Sequence, residues 1–127
     1  MQIKNKIEVN MYLYKAKILS VHDGDSCVAE LDLGCRIKIK LPIRLYGINA
    51  PELRGDTKLA GLEARDFLAS KILNKEVYVK TFKDRTEKYG RLLGKIFLTE
   101  TSDGNDDSTE TVNQMLVLHG HAVEVAY

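Results

Sequence analysis

Cysteine is scarce in this chain, with two in 127 residues, too few for the disulfide framework of small secreted domains. Cys27 and Cys35 flank an expected hairpin turn, and free thiols in a reducing compartment are expected for both. Charge of one sign is also lacking. The formal net charge is +1, so no overall basic field announces a polyanion binder, and any such site must be a local cluster. No apolar run is long enough to cross a membrane. The start, Met1 to Lys6, is basic, but Glu8, Asn10 and Lys15 interrupt what would be a secretory apolar core. A cytoplasmic protein is expected; a mature secreted chain that had lost its leader would read the same way.

What is present is a globular balance, 44% hydrophobic and 29% charged, in a chain long enough for one domain with a buried core. Residues 1–11 read as a polar N-terminal extension and 12–127 as the domain. Strands are expected over Tyr12–Val21, Ser26–Leu33 and Ile37–Leu41. In the third, Ile37, Ile39 and Leu41 alternate with Lys38 and Lys40 at the period of a half-buried strand. Pro42 should interrupt the ladder or sit on an edge, with Arg44–Ile48 resuming it. Gly61–Leu73 reads as a helix with Ala64, Phe67, Leu68 and Ile72 on one stripe, ending near Asn74. Val77–Phe82 and Leu92–Leu98 complete five strands. A solvated acidic loop, Glu100–Glu110, precedes a short helix that begins at Thr111. There Gln114 completes a capping box, and Gly120 ends the helix. Mainly β with about two α-helices, one of them between the third and fourth strands, this order suggests an OB-type five-stranded barrel.

Three segments carry possible chemistry. Asp23-Gly24-Asp25-Ser26 places an acid at a strand entrance, where hard cations find oxygen ligands; alone it is equally a plain turn. Arg44 precedes Glu52 by eight residues. Gly47 and Pro51 bend the chain between them, so both could face one pocket. Alone they are an outward strand arginine and a solvated acid. Lys88-Tyr89-Gly90-Arg91 puts Arg91 at a strand entrance beside a tyrosine able to stack on a base, or else forms a solvated basic hairpin.

In this order and spacing, Asp23-Gly24-Asp25-Ser26, Arg44-Leu45-Tyr46-Gly47-Ile48-Asn49-Ala50-Pro51-Glu52 and Arg85-Thr86-Glu87-Lys88-Tyr89-Gly90-Arg91 resemble the staphylococcal nuclease (thermonuclease) family. Val112-Asn113 and Gly120–Tyr127 fit its later core. The resemblance runs from about Tyr12 to the last residue. It implies a calcium-dependent nuclease that cleaves DNA and RNA with low sequence specificity and leaves 3′-phosphates, with no obligate protein partner evident. Asp25 then matches a calcium ligand, as do the Asn49 side chain and the Ala50 carbonyl. Arg44 and Arg91 match phosphate-binding arginines, Glu52 the general base, and Lys88, Tyr89 and Tyr127 positions that contact nucleotide.

The chain departs from that pattern at Asn49, where an acid is usual. An amide oxygen still binds calcium but brings no charge, and Asp23 or Asp56 is a candidate to compensate through water. Segment 32–43 is longer than usual, giving a basic hairpin with Arg36, Lys38 and Lys40. The alternative function is a catalytically weak or inactive nucleic-acid-binding module. A plain single-strand-binding barrel fits less well, because several of the few aromatics fall at core positions. His119 and His121 read as surface residues at a helix end, and the Asp103–Asp107 run lacks the spacing of a calcium loop.

Overall fold

Apolar residues at every second position build the frame. The computed structural model describes residues 12–86, 88–100 and 110–126, with the backbone alone at 83–85. Strands β1 (Leu13–Asp23), β2 (Ser26–Gly34), β3 (Ile37–Leu45), β5 (Glu76–Thr86) and β6 (Leu92–Phe97) close a barrel in the order β1-β2-β3-β6-β5. All neighbours are antiparallel except β3 and β6. This is the OB-type architecture. A second, two-stranded sheet pairs β4 (Ile48–Asn49) with β7 (Val123–Glu124). Helix α1 (Lys58–Ile72) follows a single 3₁₀ turn at Gly55–Thr57, and α2 spans Val112–Leu118.

The barrel interior holds Ile18, Ala29, Leu31, Ile43, Leu45, Val77, Val79 and Ile96, capped by Leu68 and Ile72 of α1 and by Val112 and Leu116 of α2. Each is at most 2% exposed, and burying a side chain of this size stabilises by roughly 1.5–3 kcal/mol. The α1 stripe is as expected at Ala64, Leu68 and Ile72, with Phe67 half-buried. The helix begins at Lys58 rather than Gly61, and Asn74 follows it in the left-handed region, at φ 60°. The capping box at Thr111 and Gln114 is formed in both directions. Pro42 does not break β3: it pairs with Val28 of β2, and β6 joins β3 only from Ile43 onward, so the proline sits on an edge.

Both cysteines are free. Cys27 is buried in the core and Cys35 lies at the exposed β2–β3 turn, at opposite ends of β2. Among the described residues no helix is long and apolar enough to cross a membrane. The extension 1–11, Tyr127 and most of the acidic loop (101–109, including the Asp103–Asp107 run) lie outside the described residues.

Asn113 fastens α2 to the barrel. Its Oδ1 accepts from Ile96 N–H at 3.1 Å, and its Nδ2 donates to Tyr46 O at 2.8 Å and Gly94 O at 3.2 Å. The residue is only 4% exposed, so deleting the amide strands buried main-chain groups that water reaches poorly. Asn113→Ala should destabilise the fold by about 2–4 kcal/mol, read as a lower urea midpoint at unchanged slope.

Candidate active site

The first acidic segment is a tight turn that the Asp23 carboxylate closes. Its Oδ1 accepts from Asp25 N–H at 3.1 Å and from the Ser26 hydroxyl at 2.7 Å. Gly24, between them, has no room for a side chain: a Cβ would lie 2.7 Å from the Cβ atoms of both Ala50 and Ala64. The turn, the chain after β4 and helix α1 thus meet at one point. Asp25 is then tied in twice. Its carbonyl accepts from Leu45 N–H at 2.9 Å, and its Oδ2 accepts from Ala50 N–H at 2.8 Å.

Arg44 leaves β3 on the outer face of the barrel, since Ile43 and Leu45 on either side are fully buried in the core. Its Nη2 lies 3.3 Å from Asp25 Oδ2 and also donates to Asn49 Oδ1, while Nη1 donates to Leu45 O at 2.9 Å. The ion pair is largely withdrawn from water, with the side chains 11% and 12% exposed. Asn49 is held by pairing with Val123 of β7, and the turn before it by Val125 N–H donating to Gly47 O at 2.9 Å. Asp25, Arg44, Asn49 and Ala50 therefore form one contiguous cluster.

Arg91 precedes β6, whose Leu93 pairs with Arg44. Arg91 is the residue immediately before that strand, so its main chain enters beside the Arg44 end of β3. The Arg91 guanidinium also lies 5.8 Å from the centre of the Tyr89 ring, and Lys88 Nζ 5.1 Å from it. Tyr89 is 72% exposed.

Glu52 lies two residues beyond Ala50. Its carbonyl is 2.8 Å from Thr57 Oγ1, a hydroxyl also 3.0 Å from Arg54 O. Gly61 lets α1 approach closely, because a Cβ there would sit 2.5 Å from Glu52 O. The main chain is thus braced while the carboxylate stays exposed, paired at 3.0 Å with Arg54 Nε. It lines a shallow cleft with His22, Asp23, Leu53 and Arg54. A larger cavity, about 590 Å³, lies between Tyr46, Lys95, Asn113 and Glu124 and holds none of the residues with candidate chemistry. His119 and His121 both pack on the Phe67 ring, at 5.0 and 4.7 Å between centroids.

Burial pushes the Asp25 carboxyl up to about 6, and a hydrogen bond with Asp23 adds to this against the opposing pull of Ala50 N–H and Arg44. Burial acts in the same sense on Asp23, but its hydrogen bonds to Asp25 and Ser26 prevail and hold it below the ordinary carboxylate range. The pair divides its protons unequally, as adjacent acids do. The donor chemistry fits a hard cation. Asp25 Oδ2 and Asn49 Oδ1 already converge on one positively charged nitrogen, and Asp23 lies alongside. Among the described residues no three His, Cys, Asp or Glu side chains cluster, so such a site leans on the amide and on a main-chain carbonyl. Asp56, in the 3₁₀ turn, is exposed.

Sequence reasoning did not assign roles to Arg54, Thr57 or Gly61. A threonine after a bend and a glycine inside a helix were the available signals.

A family model described as staphylococcal nuclease homologue matches residues 42–127, more than half of the chain. The protein belongs to that family. The match takes in Arg44, Asn49, Glu52 and Arg91 and begins after Asp25. No curated protein matches the chain.

The raised Asp25 has a consequence for stability. Between the unfolded value of 3.8 and about 6, the folded state binds more protons than the unfolded state, so stability falls as pH rises through that window. Across the whole window the loss should be about 3 kcal/mol. Asp23, shifted the other way, loses its contribution only as pH falls below its unfolded value. Denaturant melts in chelator should therefore show a higher midpoint at pH 5 than at pH 7, and Asp25→Asn should flatten the difference.

Proposed function

We propose that this protein is a calcium-dependent nuclease that hydrolyses phosphodiester bonds of DNA and RNA with low sequence specificity, leaving 3′-phosphates. The observation that carries the proposal is the cluster in which the Arg44 guanidinium bridges the Asp25 carboxylate and the Asn49 amide oxygen, with Glu52 two residues beyond Ala50. Family membership supports the nuclease class; the metal, the substrates and the product ends are inferred.

Asp25, the Asn49 side chain and the Ala50 carbonyl would hold the calcium ion. Bound there, it would neutralise a phosphate oxygen and ease the build-up of charge at phosphorus. Arg44 and Arg91 would offer forked donors to two phosphate oxygens and stabilise the five-coordinate transition state. Glu52 would hold a water molecule and accept its proton. Its exposed pair with Arg54 is a weak restraint, worth about 1 kcal/mol or less, so substrate can displace it. Lys88 and Tyr89 flank the arginines and would contact nucleotide by charge and stacking. Tyr127, assigned the same part by resemblance, lies outside the described residues.

Asn49 is the one specific observation on the side of a weak or inactive binding module, because it subtracts a charge from the ligand set. Incubation with plasmid, single-stranded DNA and RNA separates the two functions. Calcium-dependent degradation that chelator stops is expected. Glu52→Gln should reduce it by about 10²–10⁴-fold, and Arg44→Ala and Arg91→Ala by at least about 10²-fold, with circular dichroism unchanged. Tight binding without cleavage would establish the module instead.

Calorimetry checks the ligand set independently of turnover. Asn49→Asp should bind calcium more tightly than the parent chain. Equal or weaker binding would remove residue 49 from the metal site.

A further inference from the structure

Strand β3 has neighbours on both sides only at its C-terminal end. β2 pairs along it from Ile37 to Arg44, whereas β6 reaches only Ile43–Leu45. Leu45 N–H donates to Asp25 O at 2.9 Å, on the β2 side, and Tyr46 N–H to Gly94 O at 2.8 Å, on the β6 side. Successive residues of a strand direct their main-chain groups to opposite sides, so the odd-numbered residues of β3 face β2 and the even-numbered ones face away. Pro42 falls in the outward set, where its missing proton leaves the β2 ladder intact. Lys38 and Lys40 fall there too, and among the described residues no strand pairs with that side of them.

The two faces beside this edge differ. On one, Leu33 and Ile39, 44% and 40% exposed, line an apolar groove of about 390 Å³ with Tyr12, Tyr14, Phe82 and Leu92, among others. On the other, charge alternates from strand to strand. Lys17 of β1 pairs with Glu76 of β5 on one side and with Glu30 of β2 on the other, and Glu30 pairs with Lys40 of β3. The row runs acid, base, acid, base and stops at the β3 edge. Two residues further along the hairpin, Asp32 stands opposite Lys38. Both rows therefore end on an exposed lysine. Opposite charges in adjacent strands attract and like charges repel, so a strand added here continues both rows only if it carries an acid at each place.

We propose that the outer edge of β3, from Ile37 to Leu41, docks an extended segment of a protein partner in which apolar residues alternate with acids. The segment adds as a strand of about five residues, roughly 17 Å long. Its main chain bonds to the outward groups of Lys38 and Lys40, and its acids lie beside those two side chains. The apolar residues between them fall on the face of Ile37, Ile39 and Leu41 and cover the groove. Main-chain bonds supply the affinity and the alternating side chains the selectivity. Charge argues against a second copy as the occupant. A copy related by a two-fold axis pairs antiparallel, and every such register through these outward groups sets Arg36, Lys38 and Lys40 against one another or against Pro42. A nucleic-acid backbone would answer the lysines, but its phosphates donate no proton to the outward carbonyls. The edge lies on the far side of Pro42 from Arg44, and docking there requires no phosphodiester cleavage.

Nuclear magnetic resonance on the unmodified chain tests this, with a capped peptide of three valines alternating with two glutamates as the probe. The Lys38 and Lys40 amide signals should shift, and their exchange should slow at least about 10-fold at saturation. The same peptide with lysine in place of glutamate should leave both unchanged. Lys38→Glu/Lys40→Glu should reverse the preference, taking the lysine peptide at least about 10-fold more tightly than the glutamate one. No shift with the glutamate peptide, equal shifts with both peptides, or a folded double variant that still prefers glutamate overturns the proposal. Slow exchange at Lys38 and Lys40 in the chain alone also overturns it. Such slowing assigns the edge to the chain itself where it is independent of protein concentration, and to a second copy where it grows with concentration. Slowing by single-stranded DNA in chelator, without slowing by the glutamate peptide, assigns the edge to nucleic acid and overturns it equally. Should the double variant fail to fold, the two peptides compared on the unmodified chain decide.

Discussion

One guanidinium holds the candidate site together. Arg44 comes from β3, Asp25 from the turn before β2 and Asn49 from β4, and the arginine side chain meets both of the others. Such a pair is costly to bury, since desolvating two charges offsets much of their attraction. Burial, with the hydrogen bond to Asp23, outweighs the nearby positive charge at the Asp25 carboxyl and raises it to about 6. The cluster is buried, hydrogen-bonded and set beside an apolar core, and a carboxylate perturbed in this way marks a candidate functional site.

The rest of the structure converges on keeping that cluster rigid. Asp23 closes the turn that presents Asp25, Gly24 admits Ala50 and Ala64 into contact, and Ala50 N–H takes the carboxylate oxygen that Arg44 shares. Thr57 and Gly61 hold the main chain of Glu52 against α1. The candidate base is fixed by its backbone and loose at its carboxylate, which suits a group that must meet a water molecule and then release it.

The barrel was legible in the sequence because alternation in β3 and the single stripe on α1 report burial through local period alone. Asp25, Arg44, Glu52 and Arg91 were legible as residue types in order, and a shared pocket for Arg44 and Glu52 was expected; the pairing of Arg44 with Asp25 and Asn49 was not. That Asn49 caps the same guanidinium as Asp25 depends on β4 pairing with β7, more than 70 residues further along the chain, and no local pattern encodes that. Gly24 read as a turn residue and Gly61 as the start of a helix. Their reason is the approach of another segment's atoms, visible only when the segments are assembled. Asn113 is similar: an amide in a short helix says nothing until three main-chain groups from two other segments surround it.

Strand β3 joins the two ends of the molecule through one alternation. From Arg44 onward its outward amides belong to the region covered by β6, and its side chains turn alternately to core and site. Before Pro42 the same outward amides meet no strand among the described residues, and the side chains split into an apolar face and a lysine face. Pro42 marks the boundary, since a residue without an amide proton fits only where that side of the strand gives up pairing. The Arg44 end of β3 is therefore anchored on both flanks. The other half, with its exposed Ile37 and Ile39, is an edge of the kind that soluble proteins cover.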